Sequence, residues 1–437
     1  MLIVENILRL LVLIGVMILI HELGHYCVAR FFDVRVDAFS FGFGPRLFGF
    51  KKGDTDFRIS AVPFGGYVKM AGEQPGEGVP GDPQMFLAKP RWQRLLIVFA
   101  GPFMNVALAV ALLTGLFMVR YPKPLVSDLV ATIGHVLPDS PAAKAGLREG
   151  DRIARIDDKT DPSWEEVVVK EFSSANRPLP LVVERAGQRF STTVVPILSD
   201  RAGVGYAGWA QQAEIQVAEV SPGMPAEKAG LRPGDLLLSV NGERIRSRYK
   251  LQEVIRSSGG KPVQIDFIRN GVRQTLTIQP VYSEEEKRWM VGVAPDHRIV
   301  YTRLGLAEAL SQSVQQNLRG GTLIYEFLSG IVARRMSAKS IDGPIRIAQL
   351  SGEAAREGPY TFINLMAAVS LNLAIINLLP IPILDGGVIL LLLFEMLIRR
   401  DLSVPVKEAV FKFGFVFLLM VMVFVIYNDI AKMLPSG

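Results

Sequence analysis

The stretch ILIHELGHYCVAR, Ile18 to Arg30, sets two histidines and a glutamate into an otherwise apolar run. Between Ile7 and Ile20 the only charged residue is Arg9, so the run has the composition of a helix built for lipid. In a helix, His21 and His25 lie four residues apart and leave from one face, with Glu22 beside them. That is the HExxH arrangement, in which two imidazoles hold zinc and the glutamate acts as base. A polar helix-packing contact, or a histidine pair satisfied by backbone, would place the same residues there. Ionisable groups inside a membrane helix are costly and are kept for function, which favours the metal reading.

The whole chain fits a membrane protein with a sizeable water-soluble part. It has 437 residues, is 49% hydrophobic, and has a mean hydropathy of +0.29. A net charge of +6 without a long basic run argues against nucleic acid as a partner. Cys27 is the only cysteine, so no intrachain disulfide can form and the soluble part must hold together by its own core.

Four regions are apolar enough to span a bilayer: about Leu2 to Ala29, Leu95 to Met118, Thr361 to Leu384 and Val410 to Tyr427. A short apolar helix at Val388 to Ile398 precedes the last. The first is expected to be retained. A secretory signal would start positive and end at small residues, whereas Glu5 precedes Arg9 and the segment ends HELGHYCVARFF. Lysines and arginines crowd the loop between the first two regions and the loop between the last two, which assigns both loops to the cytoplasm. Both termini and the region from about Tyr121 to Tyr360 are then extracytoplasmic.

Catalytic zinc takes three protein ligands and leaves a position for water, so HELGH is one ligand short. His135 and His297 are expected on the far side of the membrane. Counting roughly 18 residues at about 1.5 Å each puts His21 near the cytoplasmic end of its helix. The third region descends to NLAIINLLPIPILDGGVILLL, which brings Asp385 to a comparable depth. Asp385 is the best candidate for the missing ligand; capping the following helix is its other reading. Glu395 is the runner-up.

Between the second and third regions the chain repeats itself. KAGLREGDRIARIDDK, Lys144 to Lys159, matches KAGLRPGDLLLSVNGE, Lys228 to Glu243, at an offset of 84 residues. A short helix, a Gly-Asp turn and an alternating strand, closed by Asn241-Gly242 in hairpin position, make a compact mixed unit. Each copy resembles a PDZ domain, the second more strongly, since the first has Asp157-Asp158 in place of Asn-Gly. PDZ domains bind extended peptides by strand addition; a spacer or lid would need no such binding.

HELGH together with NLLPIPILDGG resembles the site-2 protease family of intramembrane zinc metalloproteases. GPFMN (Gly101 to Asn105), FGGYVKM (Phe64 to Met70), DGPIRI (Asp342 to Ile347) and the paired Asn372 and Asn377 extend the resemblance along the chain. Many relatives continue LDGG with His, where Val388 stands here. The resemblance implies that His21, His25 and Asp385 bind zinc and that Glu22 takes a proton from the attacking water and passes it to the leaving amine. It implies substrate contacts from Asn372, Asn377, Pro380 and Pro382, and from Gly65, Gly66 and Tyr67. The last three lie in a turn-rich stretch, Val34 to Met70, that would form a re-entrant sheet offering an edge to an unwound substrate; a hairpin on the cytoplasmic surface is the other reading. Residues Leu306 to Val332 read as an amphipathic helix on the outer membrane surface.

The expected fold is a polytopic α-helical membrane protein with four transmembrane helices, a re-entrant β-hairpin region, and two α+β PDZ domains inserted between helices 2 and 3. The domain bounds are 1–120, 121–205, 206–285, 286–360 and 361–437. The expected function is zinc-dependent cleavage within single-pass membrane proteins, an anti-sigma factor of an envelope stress response or remnant signal peptides. The PDZ pair would act as a substrate filter, in a bacterial inner membrane, with the chain as a monomer. A PDZ scaffold with a structural metal and a zinc hydrolase of lipid-linked substrates are the alternatives.

Overall fold

The computed structural model describes residues 2–73, 82–123, 130–199, 203–284, 286–333 and 336–433. It divides into a helical unit, Met1–Tyr121, Arg303–Tyr325 and Ile341–Gly437, and a second unit, Pro122–Thr302 and Glu326–Ser340, that carries the repeat.

Seven helices matter for the helical unit: α1 (Leu2–Phe31), α2 (Arg91–Val119), α3 (Leu306–Val332), α4 (Pro344–Glu357), α5 (Pro359–Asn377), α6 (Asp385–Ile398) and α7 (Val404–Met433). Stretches of α1, α2, α5 and α7 are long and apolar enough to cross a membrane. α1 and α2 meet backbone to backbone: a Cβ added at Gly24 would lie 2.3 Å from the carbonyl oxygen of Ala100. α7 is tied to α4 by Asp429, whose buried carboxylate accepts from the Gly343, Ile345 and Arg346 amides. The DGPIRI motif thus supplies a helix start whose free N–H groups are satisfied by another helix.

The third apolar region leaves the helix before Leu384, as its prolines require. α5 stops at Asn377, because Pro380 and Pro382 lack the N–H groups that a helix interior needs. The turn 378–384 then delivers Asp385 as the first residue of α6, and Gly386 and Gly387 fit beneath it. A Cβ on either would lie 2.3 Å from a carbonyl oxygen of that turn. α3 turns one side onto α2. Ala309, Ser313 and Asn317 are buried, with the Ser313 hydroxyl 2.7 Å from that of Thr114 on α2, while Leu310, Val314 and Leu318 point outward.

Between α1 and α2 lie two long antiparallel strands, Val36–Lys52 and Thr55–Met70, each bent so that it pairs twice. Phe39 lies between Val68 and Phe57, and Phe57 between Phe39 and Phe50. The result is a sheet in the order 66–70, 36–41, 56–59, 48–52. Residues 66–70 form an edge, and that edge lies on α1: a Cβ on Gly66 would meet Ile18 and Glu22.

The repeat folds into two similar small sheets, each with its own core. In both copies the Asp of the Gly-Asp turn is buried and clamps its own unit. Asp151 accepts from the Arg148 amide and from Arg185, and Asp235 accepts from the Arg232 amide and from Arg269. Asn241 and Gly242 both take positive φ, 50° and 80°, and make the two-residue hairpin turn; in the first copy Asp157 takes φ 52°. Each copy is closed by a strand that follows a glycine. Trp209–Gln211 pairs with Ile133–Val136, and Val293–His297 pairs with Ile215–Val220. The first unit therefore runs to residue 211 and the second to 297, past the bounds 205 and 285 read from the sequence.

The copies differ where that closing segment begins. In the first, Glu171, in the last turn of the helix Trp164–Phe172, is 5% exposed. It accepts hydrogen bonds from the Ala207 amide (2.6 Å) and the Trp209 indole (2.7 Å). The second copy has Ile255 at the matching position. Burial pushes the Glu171 carboxyl from its ordinary 4.5 up to about 7, against the pull of its two donors. A folded value above the unfolded one stabilises fully below about pH 4.5 and is lost as pH rises through about 7. The melting transition of the repeat unit should therefore fall between about pH 5 and pH 8. Glu171→Gln should flatten that fall; an unchanged slope would show that Glu171 does not set it.

Candidate metal centre

α1 presents His21 and His25 one turn apart, and the 378–384 turn brings Asp385 to them from 360 residues on. The two Nε2 atoms are 3.2 Å apart. His21 Nε2 lies 3.1 Å from Asp385 Oδ2, and His25 Nε2 lies 3.6 Å from Asp385 Oδ1. Ligands at about 2.05 Å on a tetrahedral zinc are about 3.3 Å apart, so the three donor atoms have the spacing zinc needs. Both histidines are buried.

The surroundings set the imidazoles to offer Nε2. His25 Nδ1 is 2.9 Å from the Ile97 carbonyl, which can only accept, so Nδ1 carries the proton and Nε2 the lone pair. The Asn105 amide stands 3.2 Å from His21 Nδ1, with its nitrogen nearest, and Asn105 Oδ1 is buried with no partner among the described residues. Turning that amide over gives Oδ1 the His21 Nδ1–H and leaves His21 Nε2 free to ligate. Gly101, one turn before Asn105 on α2, is what lets the rings stand there. A Cβ on it would lie 2.3 Å from His25 Nε2 and 2.8 Å from His21 Nε2. The GPFMN motif is thus a clearance and an orienting amide on one helix face. The contact between Asn105 and His21 depends on how α1 and α2 pack.

The Glu22 carboxylate accepts from the Val68 amide on edge strand 66–70 and stands close enough to His25 and Asp385 to interact with both. Asp385 is not the cap of α6; Leu384 holds that position. Glu395, the runner-up ligand, is committed elsewhere: it is 1% exposed and accepts from the Leu402 amide at 2.8 Å and from Lys407 at 2.6 Å. Of the proposed substrate contacts, Asn377, Pro380 and Pro382 lie at the end of α5 and on the turn before Asp385, and Asn372 lies exposed on α5. Gly65 and Gly66 lie where the sheet meets α1, and Tyr67 stacks on Phe43 with centroids 6.1 Å apart and pairs with Arg58.

Two imidazoles and a carboxylate around one point, with a second carboxylate on the same helix, form the donor set of a metal-dependent hydrolase. Residues 9–421 match the model of peptidase family M50. The chain belongs to that family and is a zinc metalloprotease. It is 31% identical over 441 residues to a Neisseria meningitidis protein named as a zinc metalloprotease, with 96% of this chain and 97% of the other covered. It is 30% identical to Protease RseP of Yersinia pestis (97% and 98% covered) and 28% identical to Regulator of sigma-E protease RseP of Salmonella typhimurium (98% and 99% covered). Part of it, 20% of the chain, aligns with 90% of a solved PDZ domain of an SdrC-like protein from Listeria monocytogenes, at 20% identity and a TM-score of 0.18.

Gly101→Ala should displace the imidazoles and lower zinc affinity at least tenfold, the scale of losing an orienting partner. Ala at Gly115, on the same helix with open space around it, should leave affinity unchanged. Zinc titration of both variants checks this; equal affinities would show that the clearance at Gly101 is not needed.

Proposed function

We propose that His21, His25 and Asp385 hold the zinc and that the protein cuts single-pass membrane proteins within their membrane segments. The observation that carries this reading is the convergence of the three donors inside an apolar helical unit, beside an open sheet edge. Bound zinc would make hydroxide available near neutral pH and polarise the scissile carbonyl. Glu22 takes the proton from the attacking water and delivers it to the leaving amine. His25 is held by Ile97 and His21 by Asn105, which keeps both Nε2 atoms aimed at one point. A transmembrane helix hides its amides in its own hydrogen bonds, so the substrate must first unwind. Strand 66–70 offers it a partner, and that edge passes beside Glu22. Gly65, Gly66 and Tyr67 lie in or next to this edge. Asn372, Asn377, Pro380 and Pro382 line the substrate's other side. An apolar cavity of about 730 Å³, lined by Leu11, Val12 and Leu19 of α1 and by Phe41, Phe50 and Ile59 of the sheet, suits an apolar segment on its way in.

The positive loops orient the repeat and both termini to the periplasm of a bacterial inner membrane, with the zinc near the cytoplasmic side. The names of the RseP relatives favour an anti-sigma factor of an envelope stress response as substrate; remnant signal peptides have the same single-span chemistry. The repeat pair acts as a filter that admits substrates whose outer domain has already been removed. The two copies are unequal in this task. Glu171 occupies the Ala207 amide in the first, whereas the second, with Ile255, leaves a cavity of about 210 Å³ between the helix Arg248–Ser257 and residues 288–295.

The test is cleavage of a tagged single-span substrate with a short outer tail by purified full-length protein in detergent. The parent should cut within the apolar segment, and Glu22→Gln should lose about 10²-fold or more of the rate. Chelation should abolish cleavage and zinc restore it. Equal cleavage by the parent and Glu22→Gln would remove Glu22 from the mechanism. Zinc binding without any cleavage would favour a scaffold.

A further inference from the structure

The two repeats meet at a group of side chains that neither fold requires. His135, on the strand Ile133–Val136, is 4% exposed, and its ring lies 14° from parallel to that of Tyr249, with centroids 6.3 Å apart. Its Nδ1 is 2.9 Å from a carboxylate oxygen of Glu149 and 3.7 Å from one of Glu253. The donor atoms of all three residues fall within 4.8 Å of one another. His135 and Glu149 belong to the first copy and Glu253 to the helix Arg248–Ser257 of the second. The copies abut closely here, since a Cβ on Gly134 would lie 2.6 Å from the Arg246 carbonyl oxygen.

Three features separate this group from an ordinary surface ion pair. One Nδ1–H cannot satisfy two carboxylates. The nearby cation, Lys250, is shared: its Nζ is 2.9 Å from Glu243 and 3.4 Å from Glu253. Arg246 also acts on Glu149, while its guanidinium donates to Gln212 (3.4 Å). The donors, finally, are departures from the repeat. Glu219, Pro233 and Val169 stand at the positions matching His135, Glu149 and Glu253, whereas the Gly-Asp turn and its arginine clamp are kept in both copies.

We propose that His135 Nδ1, Glu149 and Glu253 bind a divalent transition metal, zinc by preference, and that this ion joins the two repeats. The His135–carboxylate distances of 2.9 and 3.7 Å bracket the spacing of about 3.3 Å between ligands on tetrahedral zinc. One imidazole and two carboxylates form a three-donor set that leaves a fourth position, and His135 and Glu253 both line the 210 Å³ cavity of the second copy. Lys250 keeps Glu243 as its partner when Glu253 turns to the ion. The site lies in the repeat unit and is independent of the membrane donors.

Zinc per chain, measured after equilibrium dialysis of full-length protein in detergent, tests this in two backgrounds: the parent, and a His21→Ala/His25→Ala variant without the membrane imidazoles. In each, the Glu149→Gln/Glu253→Gln pair should remove one zinc. Both substituted positions are partly exposed, and circular dichroism checks the fold. Zinc K-edge absorption of the His21→Ala/His25→Ala chain should show one nitrogen and two or three oxygens at about 2.0–2.2 Å. No difference in zinc count in either background, or retention of the zinc by the doubly substituted chain, would overturn the site.

Discussion

Two imidazoles from one helix can share an ion with a carboxylate from a distant segment only if the helices between them come to backbone contact. Gly24, Gly101, Gly386 and Gly387 permit that contact, since a Cβ at any of them would lie 2.3 Å from a backbone oxygen or from an imidazole nitrogen. The rest of the helical unit follows from this constraint. α2 must carry a glycine where the rings stand and an amide one turn later to orient His21. α5 must stop early enough for a proline turn to aim Asp385. The sheet must lie on the remaining face of α1, which places an edge strand beside Glu22. Close approach in lipid rests on shape and polar contacts rather than on hydrophobic burial, which accounts for small residues at these crossings.

Much of this was legible in the sequence because it is local. The four-residue spacing of HELGH fixes two donors on one face, and the prolines before LDGG require the backbone to leave the helix near Asp385. The repeat was legible for the same reason: its turns depend on Gly, Asn and Asp at fixed places. What could not be read depends on which face meets which. Nothing local tells that Asn105 reaches His21, that Glu395 is taken by Lys407 and the Leu402 amide, or that α3 turns Ser313 and Asn317 inward. Hydropathy alone runs the third span through Leu384, and only the missing amide donors of Pro380 and Pro382 end it at Asn377. The closing strands of the repeat also escaped, because pairing partners some 75 residues apart leave no periodic mark.

The repeat unit shows how duplicated frames diverge. The clamps Asp151–Arg185 and Asp235–Arg269 hold both copies in the same way, so substitutions elsewhere are free to differ in chemistry. One copy turned a buried carboxylate on its own loop amide, at Glu171. The other kept an apolar residue there and an open cavity. Where the copies touch, three substitutions away from the repeat pattern placed an imidazole and two carboxylates together. The interface is therefore a property of the pair, not of a single copy.

The central claim is that Asp385, and not Glu395, completes the membrane metal site with His21 and His25. Zinc affinity of full-length chains carrying Glu149→Gln/Glu253→Gln, with and without Asp385→Asn or Glu395→Gln, tests it most directly. The account predicts that Asp385→Asn weakens binding by at least tenfold while Glu395→Gln leaves it unchanged. Undiminished zinc binding by the Asp385→Asn chain would contradict it.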